Sequence, residues 1–187
     1  MKLLIVGSAL DYSAERFYAK ALRESGADVL LLDQYEGIKN RFALRWAFTR
    51  LPVRGLLGRL SVNRKLPEVA RSFSPDAIIV FKGELVDRRV LRELSSSYKV
   101  ALFYPDTYRY PSLLDGLEMF SVVFTAANRV DFYLERGAKK AITIPWACDP
   151  SLHRKLDVKK RYPSSFIGTF YPNRYAALRK VRGLRVF

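Results

Sequence analysis

Short runs of consecutive apolar residues alternate along this chain with segments whose apolar residues recur at helical spacing. The runs before residue 150 are 2–7, 27–33, 76–83, 99–106, 121–126 and 140–146. Strands that are apolar at consecutive positions are buried on both faces, which is typical of a parallel sheet covered by helices on both sides. The pattern predicts a doubly wound α/β domain with a mostly parallel, Rossmann-like sheet over residues 1–150.

The ends of these strands are where a ligand is expected, because open parallel sheets bind ligands beyond the carboxyl ends of their strands. Lys82 beside Gly83 either offers a cation and an unhindered backbone to a phosphate or carboxylate, or is a solvated lysine next to a turn glycine. Asp106 either serves as a general base or caps the next turn. The candidate residues that should share this rim are Gly7, Ser8, Lys82, Gly83, Asp106, Thr107 and Asn128.

The turn after the first strand argues against two common nucleotide-binding classes. It reads G-S-A-L-D from Gly7 onward, which matches neither G-x-x-x-x-G-K-[ST] nor G-x-G-x-x-G. One cysteine, Cys148, and one histidine, His153, cannot form an internal disulfide or a Cys/His metal cluster. We therefore expect no metal site. No run approaches the roughly 20 apolar residues of a membrane span, so we expect a cytoplasmic protein.

The net charge of +15 is concentrated in two segments, 38–65 and 151–187. The first contains eight basic and no acidic residues, and the second contains ten basic residues and one acidic residue. In 38–65 the cations alternate with large apolar residues, as Arg41, Arg45, Trp46 and Arg50 illustrate. This composition suits an interfacial helix at the anionic inner face of a membrane, a nucleic-acid surface, or a solvated helical face. Because apolar residues are as numerous as cations, we favour membrane over nucleic acid.

The last residues have the pattern of a new β-α-β unit. An apolar pair at 166–167 precedes a turn at Gly168-Thr169, Asn173 is placed to cap a helix, and 184–187 has the pattern of a strand. The chain is therefore predicted to consist of a domain over 1–150, a linker over 151–163 and a short C-terminal β-α-β stub over 164–187.

From residue 63 onward, an ordered series of motifs resembles the CgeB-like (spore-maturation) glycosyltransferases. The most specific are F-K-G at 81–83, P-W-A-C-D-P-S-L-H at 145–153 and F-I-G-T at 166–169. The resemblance covers about two thirds of the chain. It implies a GT-B architecture, in which two Rossmann-like domains face each other across a cleft. It also implies a nucleotide-sugar co-substrate, a hydroxyl acceptor, and no cofactor or metal.

The resemblance also implies roles for individual segments. Residues 1–150 would be the acceptor-side domain, with Asp106 as the base. Residues 164–187 would begin the donor-side domain, with Gly168 and Thr169 facing the donor phosphates and Arg174 nearby. A full donor domain needs over about 100 further residues. We therefore expect a donor-domain partner chain to complete the enzyme, and inefficient transfer by this chain alone.

Two other functions stay open from the residues themselves. The first is a non-enzymatic, basic α/β module that binds anionic membrane or nucleic acid through 38–65. The second, a flavodoxin-like or receiver-type domain, is disfavoured because no acidic cluster follows the first strand and no hydroxyl-rich phosphate loop is present.

Overall fold

The computed structural model describes residues 1–36, 53–105, 114–159, 166–168 and 171–181. The chain divides into two units, Met1–Asp149 and Pro150–Phe187. The strands of the first unit are β1 (Lys2–Gly7), β2 (Asp28–Asp33), β3 (Ala77–Phe81), β4 (Lys99–Phe103), β5 (Val122–Thr125) and β6 (Ala141–Thr143). Its helices are α1 (Ala14–Glu24), α2 (Val53–Phe73), α3 (Arg88–Ser97) and α4 (Val130–Leu134), with a 3-10 turn at Leu117–Met119. The described helix of the second unit is α5 (Pro172–Leu178).

The six strands form one sheet in the order β2-β1-β3-β4-β5-β6, and all five pairings are parallel. The predicted fold class, a doubly wound parallel α/β domain, is confirmed. The chain leaves β1 for β2 on one side, returns past β1, and builds β3 to β6 on the other side. A topological switch point therefore lies between β1 and β3.

Two apolar clusters cover the two faces of the sheet. On one face, α2, α3 and α4 pack against the strands through Leu66, Leu91 and Tyr133. On the other face, α1 packs through Tyr18 and Ala19. The inner strand β1 consequently has four consecutive buried residues, Leu3, Leu4, Ile5 and Val6. This two-sided burial explains why the strands are continuously apolar rather than alternating.

Helix α2 is longer than the sequence predicts. Pro52, Gly55 and Gly58 predict a segment broken into pieces, with a helix over residues 65–73. A single helix instead runs from Val53 to Phe73 through both glycines and through Pro67. Each interior glycine costs about 1 kcal/mol relative to alanine. Burial of Val62, Leu66 and Ala70, which recur every four residues, fixes the helix against the sheet and offsets that cost. Within the described part of the basic segment, the chain is helical from Val53 onward.

Two helix starts differ from the sequence prediction. The sequence predicts that Asn128 opens the helix after β5, but the N-cap of α4 is Arg129. Helix α5 begins with Pro172 after the N-cap Tyr171, so Asn173 lies inside the helix. Proline suits the first helical position because its missing N–H would be unpaired there in any case.

One predicted strand is not formed, and several other predicted features fall outside the described residues. Residues 166–168 are described and are not in a strand, although the sequence predicts one there. The predicted strand at 184–187 lies outside the described residues, as do Arg41, Arg45, Trp46, Arg50, Asp106, Thr107 and Thr169. Within the described ranges, no helix combines the length and apolar character that crossing a membrane requires.

Candidate functional site

The carboxyl ends of β1 and β3 bring four of the predicted rim residues together. Val6 pairs with Val80, so the two adjacent strands end level with each other. Gly7 is the last residue of β1 and Ser8 follows it, while Lys82 and Gly83 follow β3 directly. These four residues flank the switch point, where doubly wound sheets open a crevice between their first loops.

Asn128 lies on the same rim but farther along the sheet. It follows β5, which is three strands away from β1 in the strand order. At about 4.8 Å per strand this corresponds to about 14 Å across the rim. Asn128 therefore belongs to the far end of this edge and not to the β1/β3 crevice.

The turn after β1 is filled by a carboxylate of the protein itself. Glu15, in the first turn of α1, is buried, and its Oε1 accepts a hydrogen bond from the Ser8 N–H at 3.2 Å. Ser13 does not cap α1 with its side chain; its hydroxyl donates to the Ser8 carbonyl oxygen at 2.8 Å. Because an anion already occupies the amide that a phosphate would use, this turn is not a phosphate cradle.

The turn after β3 has an uncommon backbone conformation. Lys82 has a φ of 58° and Gly83 a φ of 66°. The Lys82 N–H donates to the Phe103 carbonyl oxygen at 2.9 Å, and the Gly83 N–H donates to the Phe81 carbonyl oxygen at 2.6 Å. This second bond closes a γ-turn centred on Lys82, which is a strained arrangement for a residue with a side chain.

A hydrogen bond joins the segments that follow β2 and β3, the two strands on either side of β1. The Tyr35 hydroxyl, two residues after β2, donates to Glu84 Oε2 at 2.6 Å, and both side chains are half-buried. Lys65 on α2 also reaches the β2 end, where its Nζ lies 2.8 Å from Glu36 Oε2. The rim therefore carries a fixed carboxylate, Glu84, immediately beside the strained Lys82 turn.

Aromatic rings line the α1 face directly beneath the rim. The Phe81 and Phe103 rings stack with centroids 4.8 Å apart, and Tyr18 packs against both. Trp146, which is 59% exposed, contacts the Phe103 ring with its centroid 6.3 Å away. Burial raises the pKa of the Tyr18 hydroxyl, whose oxygen has no hydrogen-bond partner among the described residues.

The end of the first unit is attached to helix α1 by an ion pair. Lys20 Nζ lies 2.6 Å from Asp149 Oδ2, and the Asp149 side chain is nearly buried. The hydrogen bond with Asp149 raises the pKa of the Lys20 ammonium above its ordinary value. The Lys20 ammonium therefore stays protonated at neutral pH, and its contact with Asp149 holds the segment that follows Trp146 against α1.

In the second unit, Arg174 lies beside Gly168 and between two aromatic rings. Its guanidinium carbon is 5.4 Å from the Phe166 ring centroid and 5.1 Å from the Tyr171 ring centroid. A Cβ on Gly168 would lie 3.2 Å from Arg174 Nη1 and 2.8 Å from the Phe166 ring, which is too close for an undisturbed side chain. Glycine therefore allows the guanidinium to sit against the backbone at this position.

Comparison with known proteins finds a glycosyltransferase among the similar solved structures. It is the spinosyn rhamnosyltransferase SpnG in complex with thymidine diphosphate, with 15% identity and a TM-score of 0.40. The alignment covers 67% of this chain and 45% of that chain, so this chain spans less than half of that neighbour's length. No protein-family model and no curated protein sequence matches the chain.

Sequence reasoning missed three residues that shape this rim: Glu15, Tyr35 and Glu84. Glu15 has the sequence signature of an ordinary exposed first-turn carboxylate. The Tyr35–Glu84 contact joins residues 49 positions apart in the chain, so no local sequence pattern predicts it. Tyr35 and Glu84 lie two and three residues beyond the ends of β2 and β3. A search that included three residues after each predicted strand would have found both.

Proposed function

We propose that the first unit is the acceptor-binding half of a GT-B glycosyltransferase of the CgeB-like kind. The observation that carries the proposal is the β1/β3 crevice at the switch point of a fully parallel sheet, flanked by Gly7, Ser8, Lys82 and Gly83. Its rim combines the Lys82 cation, the Glu84 carboxylate and two glycines. The motif series from residue 63 onward supports the family assignment.

In the proposed reaction, the acceptor hydroxyl attacks the anomeric carbon of a nucleotide-sugar. A new carbon–oxygen bond forms, the bond from the anomeric carbon to the diphosphate breaks, and the hydroxyl proton passes to a base. Asp106, which follows β4 after Pro105, is the proposed base, because a carboxylate at this rim can reach an acceptor bound at the strand ends. Thr107 and Asn128 would contact the acceptor farther along the rim.

The donor side of the proposal rests on Gly168, Thr169 and Arg174. The ring contacts of Arg174 hold a guanidinium next to the Gly168 backbone, which suits the diphosphate of a nucleotide-sugar. We propose that 151–163 is a linker, that 164–187 begins the donor-side domain, and that a partner chain or continuation supplies the rest. The protein is proposed to be cytoplasmic, where nucleotide-sugars are made available to such enzymes.

A second candidate function is docking on an anionic membrane through the basic segment 38–65. Leu60 on α2 is 62% exposed and lies between Arg59 and Arg64, which supports an outward surface mixing apolar and cationic groups. Arg41, Arg45, Trp46 and Arg50 would extend this surface, and nucleic acid is the less favoured partner. Co-sedimentation with anionic vesicles, compared with duplex DNA binding, tests this candidate; unchanged vesicle binding after neutralising Arg59 and Arg64 counts against it.

The acceptor-binding proposal predicts where hydroxyl compounds bind. We expect members of a panel of neutral and acidic monosaccharides to shift the backbone amide signals of Gly7, Ser8, Lys82 and Gly83 in heteronuclear NMR spectra. The effect should saturate in the millimolar range, as expected for a half-site without donor. Signals of α5 serve as the internal control and should stay in place. Shifts confined to α2 or α5, with none at the β1/β3 crevice, would contradict the proposal.

A further inference from the structure

The turn at residues 82–85 leaves two neighbouring backbone donors without acceptors. The N–H groups of Lys82, Gly83, Val86 and Asp87 all donate within the protein. The N–H groups of Glu84 and Leu85 donate to no other residue in the described part of the chain. Successive backbone N–H groups in a turn are the donors from which proteins build anion-binding concavities, so these two amides are candidate donors to an oxyanion.

This turn is held rigidly from two directions. Asn63 on α2 donates through Nδ2 to the Leu85 carbonyl oxygen at 2.9 Å and accepts the Asp87 N–H at Oδ1 at 2.7 Å. Tyr35 fixes the Glu84 side chain through its 2.6 Å hydrogen bond. The two amides are therefore held in place before any ligand arrives, which reduces the entropic cost of binding. The Tyr35 hydroxyl donates to Oε2 of Glu84, which is the only carboxylate within residues 82–85.

Lys82 has a strained backbone at a strand end, where its own N–H bonds to Phe103 and the Gly83 N–H bonds to Phe81. Two non-glycine residues in the described chain have positive φ, Ser74 and Lys82. Ser74 follows α2, and its N–H bonds to the Ala70 carbonyl oxygen, so its conformation ends a helix. Lys82 instead ends a strand at the switch point, where strained residues are typically retained for a ligand.

We propose that residues 82–85 bind an anionic group of the acceptor, a phosphate or carboxylate, through the Lys82 ammonium and the amides of Glu84 and Leu85. This proposal depends on the proposed function in one respect, namely that the molecule carrying the anion is the sugar acceptor. It narrows the acceptor to hydroxyl compounds that bear an oxyanion. Anion binding itself is measurable without any sugar transfer, so the two proposals can fail separately.

The test is an NMR titration of the 187-residue chain at physiological ionic strength with glycerol 3-phosphate, glycerate and glycerol. We expect the phosphate or the carboxylate compound, but not glycerol, to shift the Glu84 and Leu85 amide signals in a saturable way. Lys82→Met should weaken this binding about tenfold or more, because a charged hydrogen bond is lost. Saturable shifts for glycerate alone would identify a carboxylate acceptor, and shifts for glycerol 3-phosphate alone would identify a phosphate acceptor.

A second variant separates a binding role from a structural one. Asparagine tolerates positive φ, so Lys82→Asn should raise the melting temperature by about 2 °C while weakening anion binding. The matched control Ser74→Asn should raise the melting temperature equally and leave anion binding unchanged. Unchanged anion affinity in Lys82→Met and Lys82→Asn would overturn the proposal. Amide shifts spread over the basic surface, with none concentrated at Glu84 and Leu85, would also overturn it.

Discussion

Replacing Phe103 with alanine is expected to lower the free energy of unfolding by about 3–5 kcal/mol, the usual cost of removing a buried phenyl ring. Phe103 is almost fully buried at the end of β4, where it stacks on Phe81 and packs against Tyr18 and Trp146. Its loss would leave a cavity directly beneath the rim. Chemical denaturation followed by far-UV circular dichroism measures the effect.

The local consequence can be followed through Trp146. In a Trp46→Phe background, Trp146 is the only tryptophan, so its fluorescence reports on this cluster alone. Phe103→Ala should shift its emission to longer wavelength because the indole gains contact with water. The control Phe103→Leu keeps most of the volume and should cost less than about 1.5 kcal/mol. A loss below about 1 kcal/mol in Phe103→Ala, with unchanged emission, would show that this cluster does not stabilise the sheet.

Gly7→Ala is expected to lower the free energy of unfolding by about 1–3 kcal/mol, as overpacking in a dense interior does. An alanine Cβ at this position would lie 2.5 Å from Glu15 Cγ. The Glu15 side chain would have to move, which would break its hydrogen bond with the Ser8 N–H. Urea denaturation of the single variant measures the cost.

A double-mutant cycle assigns that cost to Glu15. Glu15→Ala alone should destabilise the protein by about 1 kcal/mol, since the Ser8 amide loses its acceptor. In the Glu15→Ala background, adding Gly7→Ala should cost less than about 0.5 kcal/mol, because the clashing atoms are gone. An equal cost of Gly7→Ala in both backgrounds would show that the clash with Glu15 is not the cause.

The sheet could be predicted from the sequence because its signal is local. Each inner strand is a run of consecutive apolar residues, and two-sided burial by helices produces that run directly. The parallel pairing followed from the helices between the strands. The same reasoning placed Gly7, Ser8, Lys82 and Gly83 at one edge, since carboxyl ends of parallel strands meet there.

The features that escaped prediction depend on distant contacts. Pro52, Gly55 and Gly58 indicated a broken segment, and only packing of the α2 face against the sheet explains one continuous helix from Val53. At the rim, Tyr35 and Glu84 are brought together by strand order, not by sequence spacing. The positive φ of Lys82 is fixed by hydrogen bonds of its turn to the ends of β3 and β4. Apart from Gly83, no neighbouring residue in the sequence predicts that conformation.

Sugar transfer by the chain joined with its proposed donor-side polypeptide (the completed protein) tests the central claim most directly. The chain is assayed alone and together with the polypeptide encoded by the reading frame that continues past, or lies beside, the codon of Phe187. Nucleotide-sugars are supplied with anionic and neutral hydroxyl acceptors, and mass spectrometry measures the glycosylated product. The account predicts product only from the completed protein, reduced about 10²–10⁴-fold by Asp106→Asn. Efficient transfer by the 187-residue chain alone, or no transfer to any acceptor by the completed protein, would contradict it.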